Sequence, residues 1–147
     1  MPLSGEYEPS ASTFAREQAE TIERTNGAEG STWEGHRVVV LTSIGAKTGK
    51  LRKTVLMRVE HNGQYAAVAS RDGAPKHPVW YWNLVKHPHV ELQDGAVRQD
   101  YIATLTDGAD REFWWERAVK AWPLYTDYQS RTTRSIPIFL LTPFRTE

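Results

Sequence analysis

Along the chain, stretches whose apolar residues recur every three or four positions give way to stretches where they run together or alternate singly. The first pattern marks helices and the second marks strands. In residues 10–26, Phe14, Gln18 and Ile22 recur at four-residue spacing with Ala15 and Ala19 beside them, and Asn26-Gly27 supplies a stop, so a helix is predicted. Its apolar stripe is thin, and it is expected to serve as an accessory lid or arm. After the connection "AEGSTWEG" (28–35), the run "RVVVLTS" is continuous and β-branched, as befits a buried central strand. "KTVLMRVE" and "QYAAVAS", joined by the turn "HNG" (61–63), are expected to complete a three-stranded meander.

In "APKHPVWYWNLVKHP" a helix between Pro78 and Pro88 would gather Val79, Trp80, Asn83 and Leu84 on one face. "HVELQD" and "VRQDYIATLT" predict a hairpin around Asp94-Gly95. "TDGADREFWWERAVKAWP" predicts a helix capped at Thr106 or Asp107, with Trp115, Val119 and Trp122 as its stripe and Pro123 as its end. "LYTDYQSRTTRS" reads as polar and irregular, and "IPIFLLTPF" as a closing strand. The expected class is α+β, with about six mainly antiparallel strands and three or four helices, which consecutive hairpins would arrange as a barrel.

At 147 residues the chain is expected to be essentially one core-bearing unit. It has no cysteine, which removes disulfides, thiolate metal sites and a thiol nucleophile. Eighteen basic and eighteen acidic residues cancel, so nothing favours a nucleic-acid partner, and any anion site must be local. The start lacks a basic region followed by an apolar stretch, and the longest apolar runs, Val38–Leu41 and Ile138–Leu141, cannot span a bilayer. A cytoplasmic protein is expected. The five histidines sit in turns or beside prolines, so no metal is expected, and no G-x-S-x-G elbow occurs. Six tryptophans and six tyrosines are more than a core of this size requires and suit a planar ligand as well as packing.

The octapeptide "GAKTGKLR" (45–52) invites a phosphate, yet only three residues separate its glycines and Leu51 follows Lys50, so it is no Walker A loop. It reads instead as a hairpin turn carrying Lys47, Lys50, Arg52 and Lys53. Two further clusters end strands or fill connections: Ser70-Arg71-Asp72-Gly73-Ala74 with Lys76, and Tyr125, Tyr128, Ser130, Arg131 and Arg134. Brought together they would form a slot with flat walls and a cationic end, suited to a planar polyanion. Taken singly they read equally as core aromatics and solvated cations.

The segments "TSIGAKTGKLR", "ASRDGAPKHPVWYWNLVKHP" and "YTDYQSRTTRSIPIFLLTP", in that order, resemble the deazaflavin (F420)-dependent nitroreductase family of actinobacteria, a branch of the flavin and deazaflavin oxidoreductases with a split β-barrel fold. The resemblance covers roughly residues 33–144. It implies an N-terminal helix and linker over 1–30 and a deazaflavin-binding split barrel over 31–147. The implied cofactor is coenzyme F420, whose deazaflavin ring carries hydride and whose phospholactyl-oligoglutamate tail is anionic. Carried over by motif, the hairpin residues Lys47, Thr48, Gly49, Arg52 and Thr54 would hold phosphate and tail. Ser70, Arg71 and Ala74 would follow the phosphate and ring, and the backbone of Pro78, Val79 and Trp80 would face the deazaflavin.

Met57, Trp122, Tyr125 and Tyr128 would form the substrate pocket, with the two tyrosines as the catalytic candidates. Trp122 and Met57 stand where nitroimidazole-activating members carry tyrosine, and Arg71 where the best-known members carry lysine, which sets nitroimidazole reduction in doubt. The implied activity is that of an F420H2-dependent reductase acting on a quinone-like planar acceptor, with nitroaromatics incidental. The same fold also serves FMN-dependent oxidoreductases and non-catalytic cofactor-binding modules, which stand as alternatives. A homodimer and a peripheral position at the inner face of the membrane are compatible with the resemblance. The acids Glu17, Glu20 and Glu23 on the first helix argue instead for a soluble lid or a dimer contact.

Overall fold

In the computed structural model, which describes residues 3, 5–10 and 12–144, the elements run α1 (Thr13–Arg24), β1 (Thr32–Trp33), β2 (His36–Ile44), β3 (Leu51–Met57), β4 (Glu60–His61), β5 (Gln64–Val68), α2 (Val79–Lys86), β6 (His89–Asp94), β7 (Val97–Leu105), α3 (Gly108–Ala121), α4 (Leu124–Ser130) and β8 (Ile138–Pro143). The paired strands are antiparallel, in the order β1-β2-β6-β7-β8-β5-β4, with β3 also paired to β2. The six longer strands and α1, α2 and α3 are those the patterning predicts. Together they form a split β-barrel.

Strand β2 is buried on both faces, which accounts for its unbroken apolar run. Val39 and Leu41 point into the main core with Leu84, Val90, Leu92, Phe139 and Leu141. Val38 and Val40 meet Ala19 and Ile22 of α1 on the other side. Burying Ile22 contributes about 2 kcal/mol and anchors α1 by its second half. A further core joins α3 and α4 to β5 and β8 through Trp114, Ala118, Trp122, Tyr125, Val68 and Ile138.

Four expectations are corrected. The meander does not form, because β5 pairs with β8 and with the two-residue β4, and no ladder joins it to β3. The chain turns away after Met57, where the Arg58 N–H donates to the Arg37 carbonyl at 3.0 Å and the Val59 carbonyl accepts from Ala66 at 2.9 Å. The segment read as irregular contains α4, whose polar Thr126, Asp127 and Gln129 mask the inward Tyr125. The innermost stripe of α3 is Trp114–Ala118, one position earlier than predicted, with Trp115 and Val119 flanking it. Val79, expected on the inner face of α2, is 74% exposed.

Candidate active site

Because β3 and β5 face one another without pairing, the barrel stays open along a seam, and a cleft of about 340 Å³ occupies it. That volume lies within the range of small-molecule sites. Val55 and Met57 from β3, Ser70 from the end of β5, and Trp122, Tyr125 and Tyr128 from the α3–α4 junction line it. Met57 packs against both the α3–α4 core and the α1 core, so it sits where the two meet. The exposed rings of Phe14 and Trp33, edge to face at 5.3 Å, complete the wall from α1 and β1.

Geometry fixes the tyrosines. Tyr125 is buried, and its ring packs edge to face on Tyr128 with centroids 6.0 Å apart. The indole N–H of Trp122 donates to Tyr128 Oη at 3.2 Å. Gly73, at φ +80°, lets the turn after β5 close on α4: a Cβ there would lie 2.5 Å from the Tyr128 carbonyl oxygen. Only glycine fits both the angle and the gap. This contact brings the Ser70 turn against α4, so that Ser70 and Tyr128 line one cleft.

Arg134 organises the segment that follows. Its guanidinium donates from Nε to the Ala74 carbonyl (2.8 Å), from Nη2 to the Ser70 carbonyl (2.7 Å) and from Nη1 to the Ala69 carbonyl (3.1 Å). Nη1 also lies 3.1 Å from His77 Nδ1. Burial first, and then the Arg134 charge, hold the His77 pKa below its usual value, so the imidazole is neutral and Nδ1 can accept. Arg71, at φ 45°, is exposed. Pro78 precedes the first turn of α2 without a side-chain cap, leaving that end's amides and partial positive charge for an electron-rich group. The Trp80 side chain itself packs against the main core, 6.1 Å from Phe139.

The basic hairpin lies at the other end of β3. Asn83 of α2 bolts it down, accepting the Ala46 N–H at 2.9 Å and donating to Ser43 Oγ at 3.3 Å, while Lys86 Nζ donates to the Ala46 carbonyl at 2.9 Å. Lys47, Thr48 and Gly49 are exposed at its tip. Arg52 pairs with Glu8 at 3.0 Å and Lys50 with Glu6 at 3.6 Å. Thr54 follows Arg52 on the same face of β3. Lys53 leaves this group, pairing instead with Glu23 of α1 and with Thr42.

The predicted residues therefore fall in four places: Met57, Ser70, Trp122, Tyr125 and Tyr128 share the cleft, Arg71 and Ala74 lie in the turn after β5, Lys47–Arg52 form the hairpin with Thr54 following on β3, and Pro78–Trp80 open α2. Sequence reasoning placed Arg134 among the clustered cations without its bridging role, and missed Phe14 and Trp33 as cleft walls. The four-residue repeat Phe14–Gln18–Ile22 carried the signal for Phe14, since Phe14 and Gln18 both line the cleft.

The F420H(2)-dependent quinone reductase family matches residues 14–143. An F420H(2)-dependent quinone reductase of Mycobacterium tuberculosis is 34% identical over 122 residues, covering 74% of this chain and 78% of the relative. A solved F420-H2 dependent reductase is 50% identical, with a TM-score of 0.68, over 71% of this chain and 92% of the other. A structure described as a domain-swapped dimer is 46% identical, with a TM-score of 0.71, over 86% and 95%. More distant solved structures, 17% and 14% identical, share the fold alone. The chain belongs to the F420H(2)-dependent quinone reductase family and is an oxidoreductase whose cofactor is coenzyme F420.

Proposed function

We propose that the seam cleft is where a quinone-like planar acceptor meets the deazaflavin ring, and that Lys47 and Arg52 hold the anionic tail. One observation carries this reading: β3 has the aromatic cleft at its Met57 end and the cationic hairpin at its Leu51 end, and between them the strand spans about 20 Å. A molecule with a flat ring at one end and a long anionic tail at the other matches both ends. The residues present fit the cofactor, with Lys47, Thr48, Gly49, Arg52 and Thr54 toward the tail, and Ser70, Arg71, Ala74 and the first amides of α2 toward the phosphate and ring.

When bound, the cofactor supplies hydride chemistry. The chain's own residues orient the acceptor, exclude water and hold a proton. Met57 and Trp122 form the wall of the acceptor's pocket, Tyr125 seals it, and Tyr128 presents a hydroxyl to it. Nitroaromatics are incidental acceptors. The domain-swapped relative supports a homodimer for this chain too.

The test is titration with oxidised F420 and with FMN, read by tryptophan fluorescence because Trp33 and Trp122 line the cleft, followed by turnover of F420H2 with a soluble naphthoquinone. Salt-sensitive quenching by F420, weakened when Lys47 and Arg52 are changed to alanine, together with turnover, is expected. Binding of FMN alone, or of F420 without turnover, would overturn the reading.

A further inference from the structure

Trp122 occupies a position that packing alone does not explain. Its ring is buried in the cleft wall, held edge-on by His36 with centroids 5.0 Å apart, and its single polar atom points at Tyr128 Oη at 3.2 Å. An indole nitrogen can only donate. The polarity of this hydrogen bond is therefore fixed: the Tyr128 oxygen accepts, and the phenol's own hydrogen must go elsewhere. Tyr128 is half-buried and lines the cleft, so the cleft is the direction left to it. The Tyr125 ring on one side and the Arg131 guanidinium, 5.5 Å from the ring centroid, hold the phenol in place.

We propose that Trp122 is a positioning residue that makes Tyr128 the proton donor to the reduced acceptor. The inference rests on the reading that the acceptor binds in this cleft. Once a quinone-like acceptor has received hydride, one of its oxygens carries the negative charge. The Tyr128 O–H bond breaks, the proton forms a new O–H bond on that oxygen, and the electron pair stays on the phenolate. The Trp122 N–H steadies that phenolate, the Arg131 charge lies on the same ring, and water at the open cleft returns the proton. A residue able both to donate and to accept at position 122 would leave the direction of the Tyr128 hydrogen undetermined. Tryptophan removes that ambiguity.

Two measurements test this. In the free protein, the Trp122 indole ¹H–¹⁵N signal, assigned by its loss in Trp122→Phe, should move in Tyr128→Phe more than in Tyr125→Phe. An unmoved signal means the hydrogen bond does not form and overturns the proposal. In turnover, Trp122→Phe should lower kcat about tenfold, with KM and F420 affinity changed less than twofold and a larger solvent isotope effect, since a mispositioned acid slows proton transfer. Tyr128→Phe should lower kcat at least as much, and the double variant should be no slower than Tyr128→Phe alone. Independent, multiplying losses would show that Trp122 acts through packing only. An unchanged kcat in Tyr128→Phe would place the donor elsewhere, with the family activity intact. A wild-type chain that binds F420 but turns over no naphthoquinone would instead remove the acceptor reading, and the proposal with it.

Discussion

Arg134 shows how much one side chain can set at the scale of a residue. Its planar fork meets three carbonyls and an imidazole nitrogen on a segment that begins in the cleft and ends at α2. Lysine keeps the charge but not the fork. Arg134→Lys should therefore raise the dissociation constant for F420 about tenfold and cost about 1–2 kcal/mol of stability, read by fluorescence titration and thermal unfolding. His77 adds a pH dependence to the same cluster. Its pKa is held below the ordinary 6.5 by burial and by Arg134. As the pH drops below 6.5 the unfolded chain takes up a proton that the folded chain resists. The stability tied to neutral His77 is thus complete above pH 6.5 and is lost as the pH falls through the folded value. The measurement is Tm against pH: the wild-type decline below pH 6.5 should flatten in His77→Gln, and equal slopes would show that His77 does not govern it.

At the scale of elements, the N-terminal segment preceding α1 takes a place the sequence did not announce. Residues 6–8 run parallel to the start of β3, with the Leu51 N–H donating to the Glu6 carbonyl at 2.7 Å and the Glu8 N–H to the Leu51 carbonyl at 2.8 Å. Glu6 and Glu8 thereby face Lys50 and Arg52, the cations proposed for an anionic tail. Glu8→Gln should release Arg52 and tighten F420 binding about two- to fivefold, the worth of an exposed ion pair. If the dissociation constant does not move, Arg52 is not a tail ligand. The same elements show what the sequence could and could not reveal. β2 was legible because a strand buried on both faces must be apolar throughout, and α2 because prolines flank it. The failed meander was illegible because β5 finds its partner in β8, some seventy residues along the chain, and no local pattern records such a pairing. The motif residues of the cleft were legible singly. That Gly73 seats the Ser70 turn on Tyr128 depends on a contact between segments more than fifty residues apart.

For the molecule as a whole, an open seam in a barrel is a weak line that something must brace. At the Met57 end of β3 the brace is Asp94, whose carboxylate accepts from Arg58 Nε at 2.8 Å, from Arg37 Nη2 at 2.9 Å and from the Tyr65 hydroxyl, tying β6 to β2, to β5 and to the residue after β3. Burial alone would raise the Asp94 pKa, but the hydrogen bonds from Tyr65 and Arg58 and the two arginine charges outweigh it, so the carboxyl lies below its ordinary 3.8. Its stabilisation is therefore complete above pH 3.8 and lost as the pH falls through the folded value, so this brace is in force at neutral pH and fails only in acid. Asp94→Asn removes the charge while keeping the shape, and leaves Arg58 beside Tyr65 with only the longer pairing to Glu60 at 4.0 Å. It should cost about 2 kcal/mol, less than a fully buried pair because Arg37 is solvated. In a domain of this size that is a fall in Tm of about 6 °C. Saturating F420 binds only the folded chain and should raise Tm by a similar amount in both proteins if the variant retains the site. A variant that loses Tm and is no longer stabilised by F420 would show that the Asp94 brace shapes the cleft as well as holding the barrel. One that loses Tm but keeps the full ligand-induced rise would confine its role to the frame.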